Sequence, residues 1–270
     1  MSDREILAQK SYEELIKLGH HFTHYGPIPT IIGGWAVYFY NSYYGSVDID
    51  IVGPSLDGRL MYILTDFQGN HDYEEVYKDE LGFIKSYSKP VYKDDRHIGD
   101  VEIDACTYEL ELNIFHEDRS KRLPYDLCDK EDLRVQLCLS ETDENNLIYI
   151  PNKSLLLLYK LKAFRDRRYD VENKQAIIAA DKFTWLKGKV VKDGSDIIAL
   201  LDPDPSRHAI KQKIDPMIIK KIINEYDLNF MLDTLENIQN EKESLNLYPN
   251  SNEQKISKWA RDLILKIKQA

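Results

Sequence analysis

Residues 47–52, Val-Asp-Ile-Asp-Ile-Val, alternate apolar and acidic side chains with a period of two, the repeat of a β-strand with one buried face. On such a strand Asp48 and Asp50 emerge on the same face, about 6.6 Å apart along the chain. Aspartate is depleted in strands. Two carboxylates this close stay ionised at neutral pH only where a cation or hydrogen-bond donors neutralise them. A divalent cation explains the pair economically; the solvated face of an amphipathic strand explains it more plainly. Upstream, Ile28–Ile32 reads as a buried strand running into Gly33-Gly34, and the residues after the glycines read as a short helix. The glycines let the backbone approach a ligand closely, and the first N–H groups of the helix favour an anion. A cation site and an anion site would then be neighbours.

The rest of the chain sets the frame for this unit. Its 270 residues suffice for one large or two modest domains with real cores. A formal charge of −10, from 36 Lys+Arg against 46 Asp+Glu, argues against a protein that coats nucleic acid through its global field and leaves room for a local basic groove. Cys106, Cys128 and Cys138 are odd in number and lack Cys-x-x-Cys spacing, so reduced thiols in a cytoplasmic protein are expected. The polar start Met1-Ser-Asp-Arg-Glu and the absence of a long apolar run predict neither an export signal nor a membrane span.

In chain order, residues 2–18 read as an amphipathic helix opened by a Ser2/Glu5 capping box and ended by Gly19. His20, His21 and His24 then fall in a loop; on a helix they would be spaced to bind a metal. A helix capped by Ser55 is expected to reach about Gln68. Residues 83–92 and 98–108 read as a hairpin around Asp94-Asp95-Arg96-His97. In its second arm Val101, Ile103 and Ala105 alternate with Glu102 and Asp104, a second carboxylate pair on one strand face. Residues 109–146 read as surface loops around short apolar pieces, and 147–150 as a strand ended by Pro151.

From Asn152 to about Arg168 the pattern is helical, leucine-rich first and then basic, with Lys160, Lys162, Arg165, Arg167 and Arg168. Lys160 and Arg167 share a face and could meet an anion, or simply line a solvated helix. A helix-like piece follows at about 170–185. Further helical patterns at 215–226, 228–241 and 252–268 suggest a helical cap, the last with an apolar stripe typical of a core. The division expected is residues 1–150 and 151–270.

Two apolar residues, Gly33-Gly34, a gap and then Asp48-Ile-Asp50-Ile resemble the signature of the DNA polymerase β-like nucleotidyltransferase superfamily. The wording Gly-Gly-Trp-Ala-Val is similar to the abortive-infection-type nucleotidyltransferase toxins and to the aminoglycoside and lincosamide nucleotidyltransferases. Those groups carry an Arg-x-Thr-x-Asp arrangement where this chain has Tyr44 and Ser46. The segment Leu155–Ala163 with Arg165–Arg168 looks like the Leu-x-x-Leu-Lys-Leu-x-Ala…Arg segment of the toxins, and Lys192-Asp193-Gly-Ser-Asp196 like their Lys-Asp-x-x-Asp.

The resemblance implies an α/β fold, a mixed sheet flanked by helices and followed by a helical C-terminal domain. It implies transfer of a nucleoside monophosphate from an NTP to an acceptor hydroxyl or phosphate. Asp48, Asp50 and a third carboxylate, Asp104 with Glu102 as alternate, would hold two Mg²⁺ ions. Gly33, Gly34, Ser46, Lys160 and Asp196 would serve the nucleotide, with Lys160 and Asp196 turned towards the cleft of Asp48. A tRNA, a protein or an antibiotic-like small molecule could be the acceptor, and an antitoxin a partner. A non-catalytic binding or regulatory protein that kept the fold is the alternative of a different class.

Overall fold

The computed structural model describes residues 1–54, 59–80, 83–108, 122–174, 177–204, 210–249 and 252–270. The chain is α/β and forms two compact units. Residues 1–38, 44–108 and 124–152 belong to the first, and Phe39–Tyr43 with Lys153–Ala270 to the second. The expected division at 150/151 contained no such excursion of Phe39–Tyr43.

The first unit is built on a seven-stranded mixed sheet. In chain order its strands are β1 (Thr30–Ile32), β2 (Ile49–Gly53), β3 (Glu74–Lys78), β4 (Ile84–Lys93), β5 (Arg96–Thr107), β6 (Arg134–Cys138) and β7 (Leu147–Pro151). Their order across the sheet is β3-β4-β5-β2-β1-β7-β6. The central strand β2 runs parallel to β5 and antiparallel to β1. Ile49, Ile51 and Val52 of β2 are buried, which is why the strand sits in the middle. The β4–β5 hairpin turns where the sequence predicts, at Asp94 and Asp95. Both take positive φ, 50° and 60°, the conformation of a two-residue turn whose twist suits the hairpin.

Among the described residues this unit also has the α-helices α1 (Asp3–Tyr25), α2 (Gly33–Tyr40), whose end passes into the second unit, and α3 (Arg59–Asn70). The capping box on α1 is formed, with the Glu5 N–H donating to Ser2 Oγ at 3.2 Å and the Ser2 N–H to the Glu5 carboxylate at 2.6 Å. Gly19 does not end α1. A Cβ at residue 19 would lie 2.4 Å from Asn146 Oδ1 and 3.0 Å from a Leu139 methyl. The glycine is there for close approach of another segment, and the helix continues through His20, His21 and His24. For α3, the expected Ser55 cap lies outside the described residues.

The second unit is helical: α4 (Lys153–Asn173), α5 (Ala180–Leu201), α6 (Pro216–Glu225), α7 (Phe230–Asn237), α8 (Lys242–Leu247) and α9 (Glu253–Gln269). The piece expected at 170–185 is instead the end of α4 and the start of α5. Leu155–Leu158, Leu161 and Phe164 of α4 are buried, as are Ile197–Leu200 of α5. Asp215 caps α6 by accepting from the Met217 N–H at 2.8 Å, and Asn252 caps α9 by accepting from the Lys255 N–H at 3.0 Å. A Cβ on Gly194 would strike Ser244 Oγ at 2.3 Å, so α8 packs directly on the α5 backbone. Among the described residues no helix is long and apolar enough to cross a membrane.

Candidate functional site

Of the first-unit candidates, Asp50 and Asp104 meet across β2 and β5. In the parallel pairing Asp50 is the register partner of Asp104, and Ile49 that of Ile103. Partners in register point to the same sheet face. Ser86 of β4 is the partner of Asp104, and Ile32 of β1 that of Asp50. One row therefore crosses four strands as Ser86, Asp104, Asp50, Ile32. Ser86 Oγ donates to Asp104 Oδ1 at 2.5 Å, which engages one carboxylate oxygen and leaves the other with its acceptor capacity. Asp50 and Asp104 are both half-buried, whereas Glu102 is exposed.

Asp48 is not in the strand. β2 begins at Ile49, and Asp48 occupies the bend just before it. The strict alternation read from 47–52 therefore holds from Ile49 onward, and Asp48 lies in the same loop as Ser46, which is buried. Gly33 opens α2 at φ +69°, a conformation that disfavours any side chain with a Cβ. The Asp50 carboxylate fills the vacated space, since a Cβ on Gly33 would lie 1.9 Å from Asp50 Oδ2. The double-glycine turn and the aspartate are thus fitted to one another. The carboxylates are hard oxygen donors of the kind Mg²⁺ prefers. Among the described residues, no group of three or more His, Cys, Asp or Glu side chains is already arranged to hold a metal ion.

Sequence reasoning missed Arg4. Its guanidinium lies 3.5 Å from the centre of the Tyr44 ring and donates to Gly45 O at 3.0 Å. Tyr44 stands where the resembled families have arginine, and here an arginine reaches that residue from α1. The signal was hidden because Arg4 is remote in sequence and reads as one more exposed residue of an amphipathic helix.

Lys160 and Asp196 come together in the second unit. Lys160 Nζ is 2.7 Å from Asp196 Oδ2 and 3.2 Å from Asp193 Oδ1. The basic half of α4 is therefore not a uniformly solvated face, for Lys160 is only 7% exposed. Arg167 also pairs with Asp193, Lys192 with Asp196 at 3.2 Å, and the Tyr43 hydroxyl donates to Asp196 Oδ1 at 2.7 Å.

Burial alone would lower the Lys160 pKa, but Asp196 and Asp193 outweigh it and hold the ammonium above the ordinary lysine value. Burial would likewise raise both aspartates. Arg167 and Lys160 hold Asp193 below its usual range, and Lys160 and Lys192 do the same for Asp196. Lys160, Asp193 and Asp196 are therefore all held in their charged forms. Neither a family model nor a curated protein matches the sequence.

Proposed function

We propose that the protein is a metal-dependent nucleotidyltransferase that moves a nucleoside monophosphate from an NTP to an acceptor hydroxyl or phosphate. The observation that carries this reading is the pairing of Asp50 with Asp104 across β2 and β5, with the Asp50 carboxylate seated against the left-handed Gly33. Asp48, Asp50 and Asp104 would hold Mg²⁺, with Glu102 more remote from Asp50 because it lies two residues further along β5, opposite Ser88, and is exposed. When bound, Mg²⁺ lowers the pKa of an acceptor hydroxyl and offsets the charge of the triphosphate and its leaving pyrophosphate.

The chain's own residues supply the rest. Gly33 and Gly34 present the first N–H groups of α2 to phosphate oxygens, and Ser46 adds a hydroxyl from the loop before Asp48. Ser86 steadies Asp104 by its hydrogen bond. In the second unit Lys160 and Asp196 form a pair: with the Lys160 ammonium shared between two aspartates, Lys192 and Arg167, whose side chains are 21% and 36% exposed, are the more reachable cations of that network. The acceptor belongs to the class of tRNA ends, protein side chains or small hydroxylated molecules, and a neutralising antitoxin fits a toxin-like enzyme.

The burial of Lys160 also favours a second reading, in which the α4–α5 network is purely structural and the protein binds rather than transfers. Incubation with Mg²⁺ and each α-labelled NTP, against tRNA, cell protein and aminoglycosides, separates the two. Label transferred by the wild type and lost in Asp50→Asn supports the enzyme. No transfer to any acceptor, with no Mg²⁺-dependent NTP binding, sinks it.

A further inference from the structure

The continuation of α1 past Gly19 puts His20 and His24 on successive turns of one helix face, and the proposed reaction uses neither. Their ring centroids are 4.9 Å apart, with the planes inclined by 35°. Both residues are exposed. His20 Nδ1 lies 2.9 Å from Asp143 Oδ2, and the loop that carries Asp143 is fixed. The Asn145 N–H donates to Asp143 Oδ1 at 3.0 Å, the Asp143 N–H donates to Ser140 Oγ at 3.1 Å, and Asn146 Nδ2 donates to Ile16 O of α1 at 2.9 Å.

The contact with Asp143 orients the His20 ring. A carboxylate oxygen is engaged by Nδ1, which leaves Nε2 as the ring's other ligand atom. An outer carboxylate that orients an imidazole in this way is the usual companion of a metal-ligating histidine. A second imidazole one turn away on the same face has the spacing by which helical histidine pairs hold a metal.

We propose that His20 and His24 form a two-imidazole site for a divalent cation of the Zn²⁺, Ni²⁺ or Cu²⁺ class, with Asp143 as the positioning group behind His20. Imidazole selects these ions over Mg²⁺, which prefers oxygen donors. The site stands apart from the nucleotidyltransferase reading and survives its failure. Because only two protein donors are involved, water completes the coordination, and an exchangeable ion is expected rather than a structural one.

The test is calorimetric titration of the full chain with ZnCl₂ in excess Mg²⁺, so that oxygen-only sites are already filled. The wild type should bind Zn²⁺, and His20→Gln and His24→Gln should each lose that binding. Asp143→Asn, which keeps both imidazoles, should weaken it by about 10- to 100-fold. Both histidines are exposed, so the glutamine variants should keep the wild-type circular dichroism and thermal midpoint. Zn²⁺ bound equally by the wild type and His24→Gln, or not bound by the wild type, overturns the site and leaves two histidines that merely complement the C-terminal end of a helix. Unchanged affinity in a folded Asp143→Asn overturns the positioning role.

Discussion

Each unit carries a pair of neighbouring aspartates, and the two pairs are treated in opposite ways. Asp193 and Asp196 on α5 are 3% and 1% exposed, and three cations, Lys160, Arg167 and Lys192, meet them. Asp50 and Asp104 on β2 and β5 are only half-buried, and Asp104 is met by a neutral hydroxyl. The contrast follows from solvation: a fully buried charge must be neutralised within the protein, whereas a half-buried one keeps enough solvent contact to accept a cation from outside. The buried pair is therefore the poorer candidate for a ligand site, although it is the more conspicuous ionic cluster.

The largest effect that sharpens this contrast is expected at the open pair. Asp50→Asn and Asp104→Asn should each reduce labelled-nucleotide transfer by at least about a hundredfold, since metal stabilisation is worth several kcal/mol. Their thermal midpoints without metal should be unchanged or higher, because one of two like charges is removed. A large drop in midpoint in both variants would make these carboxylates structural, and the two pairs would no longer differ in kind.

Lys160→Ala should behave in the opposite sense. It leaves Asp193 and Asp196 short of a buried partner and should cost about 3–5 kcal/mol in urea unfolding. A loss below about 1 kcal/mol would show that Arg167 and Lys192 suffice and that Lys160 is available for another task.

The pH dependence has a definite sign. Asp193 and Asp196 have folded pKa values below the unfolded value of about 3.9, so their contribution is complete above about pH 4 and is lost as the pH falls through the lower folded values. The contribution of Lys160, whose pKa is raised, is present below about pH 10 and is lost as the pH rises through its folded value. Far-ultraviolet circular dichroism between pH 7 and 2 should therefore show an acid transition. In Lys160→Met that transition should begin at higher pH, because a cation that holds both aspartates ionised is gone. The same onset in both proteins would mean that other carboxylates govern acid unfolding.

Ser86→Ala should give the smallest change, about 1 kcal/mol, because a partly exposed hydrogen bond to a carboxylate is lost. It should also alter Mg²⁺ affinity measured by calorimetry. Unchanged Mg²⁺ binding would place Ser86, and with it Asp104, outside the site.

Several of these features were legible in the sequence for stateable reasons. The β4–β5 hairpin announced itself through alternation and the Asp94-Asp95 turn, and the α1 cap through Ser2 and Glu5. Both are local signals. β3 was not legible, because all five of its residues are exposed and no buried face imposes a period. Gly19 misled because a glycine that admits Asn146 looks, in one dimension, like a glycine that stops a helix. The burial of Lys160 was hidden for the same reason as Arg4: its partners, Asp193 and Asp196, lie on another helix, beyond the reach of any i,i+4 pattern. Gly33 was readable as a close-approach position, although that Asp50 makes the approach was not.

The excursion at Phe39–Tyr43 bears on how such a chain can be made and divided. Phe39 O accepts from the Ile210 N–H at 2.9 Å, the Tyr40 hydroxyl donates to Gln212 at 3.0 Å, and Asn41 donates to Ala199 O and the Tyr248 hydroxyl at 2.9 Å each. These bonds span up to 207 residues of sequence. During synthesis the strap leaves the ribosome early, between the two motifs of the candidate site, and waits until nearly the whole chain exists before its acceptors do. Such distant pairings are slow to form. A helical fragment beginning at Lys153 would lack these five residues, and its Ile210 N–H, Gln212 side chain, Ala199 carbonyl and Tyr248 hydroxyl would lose these partners.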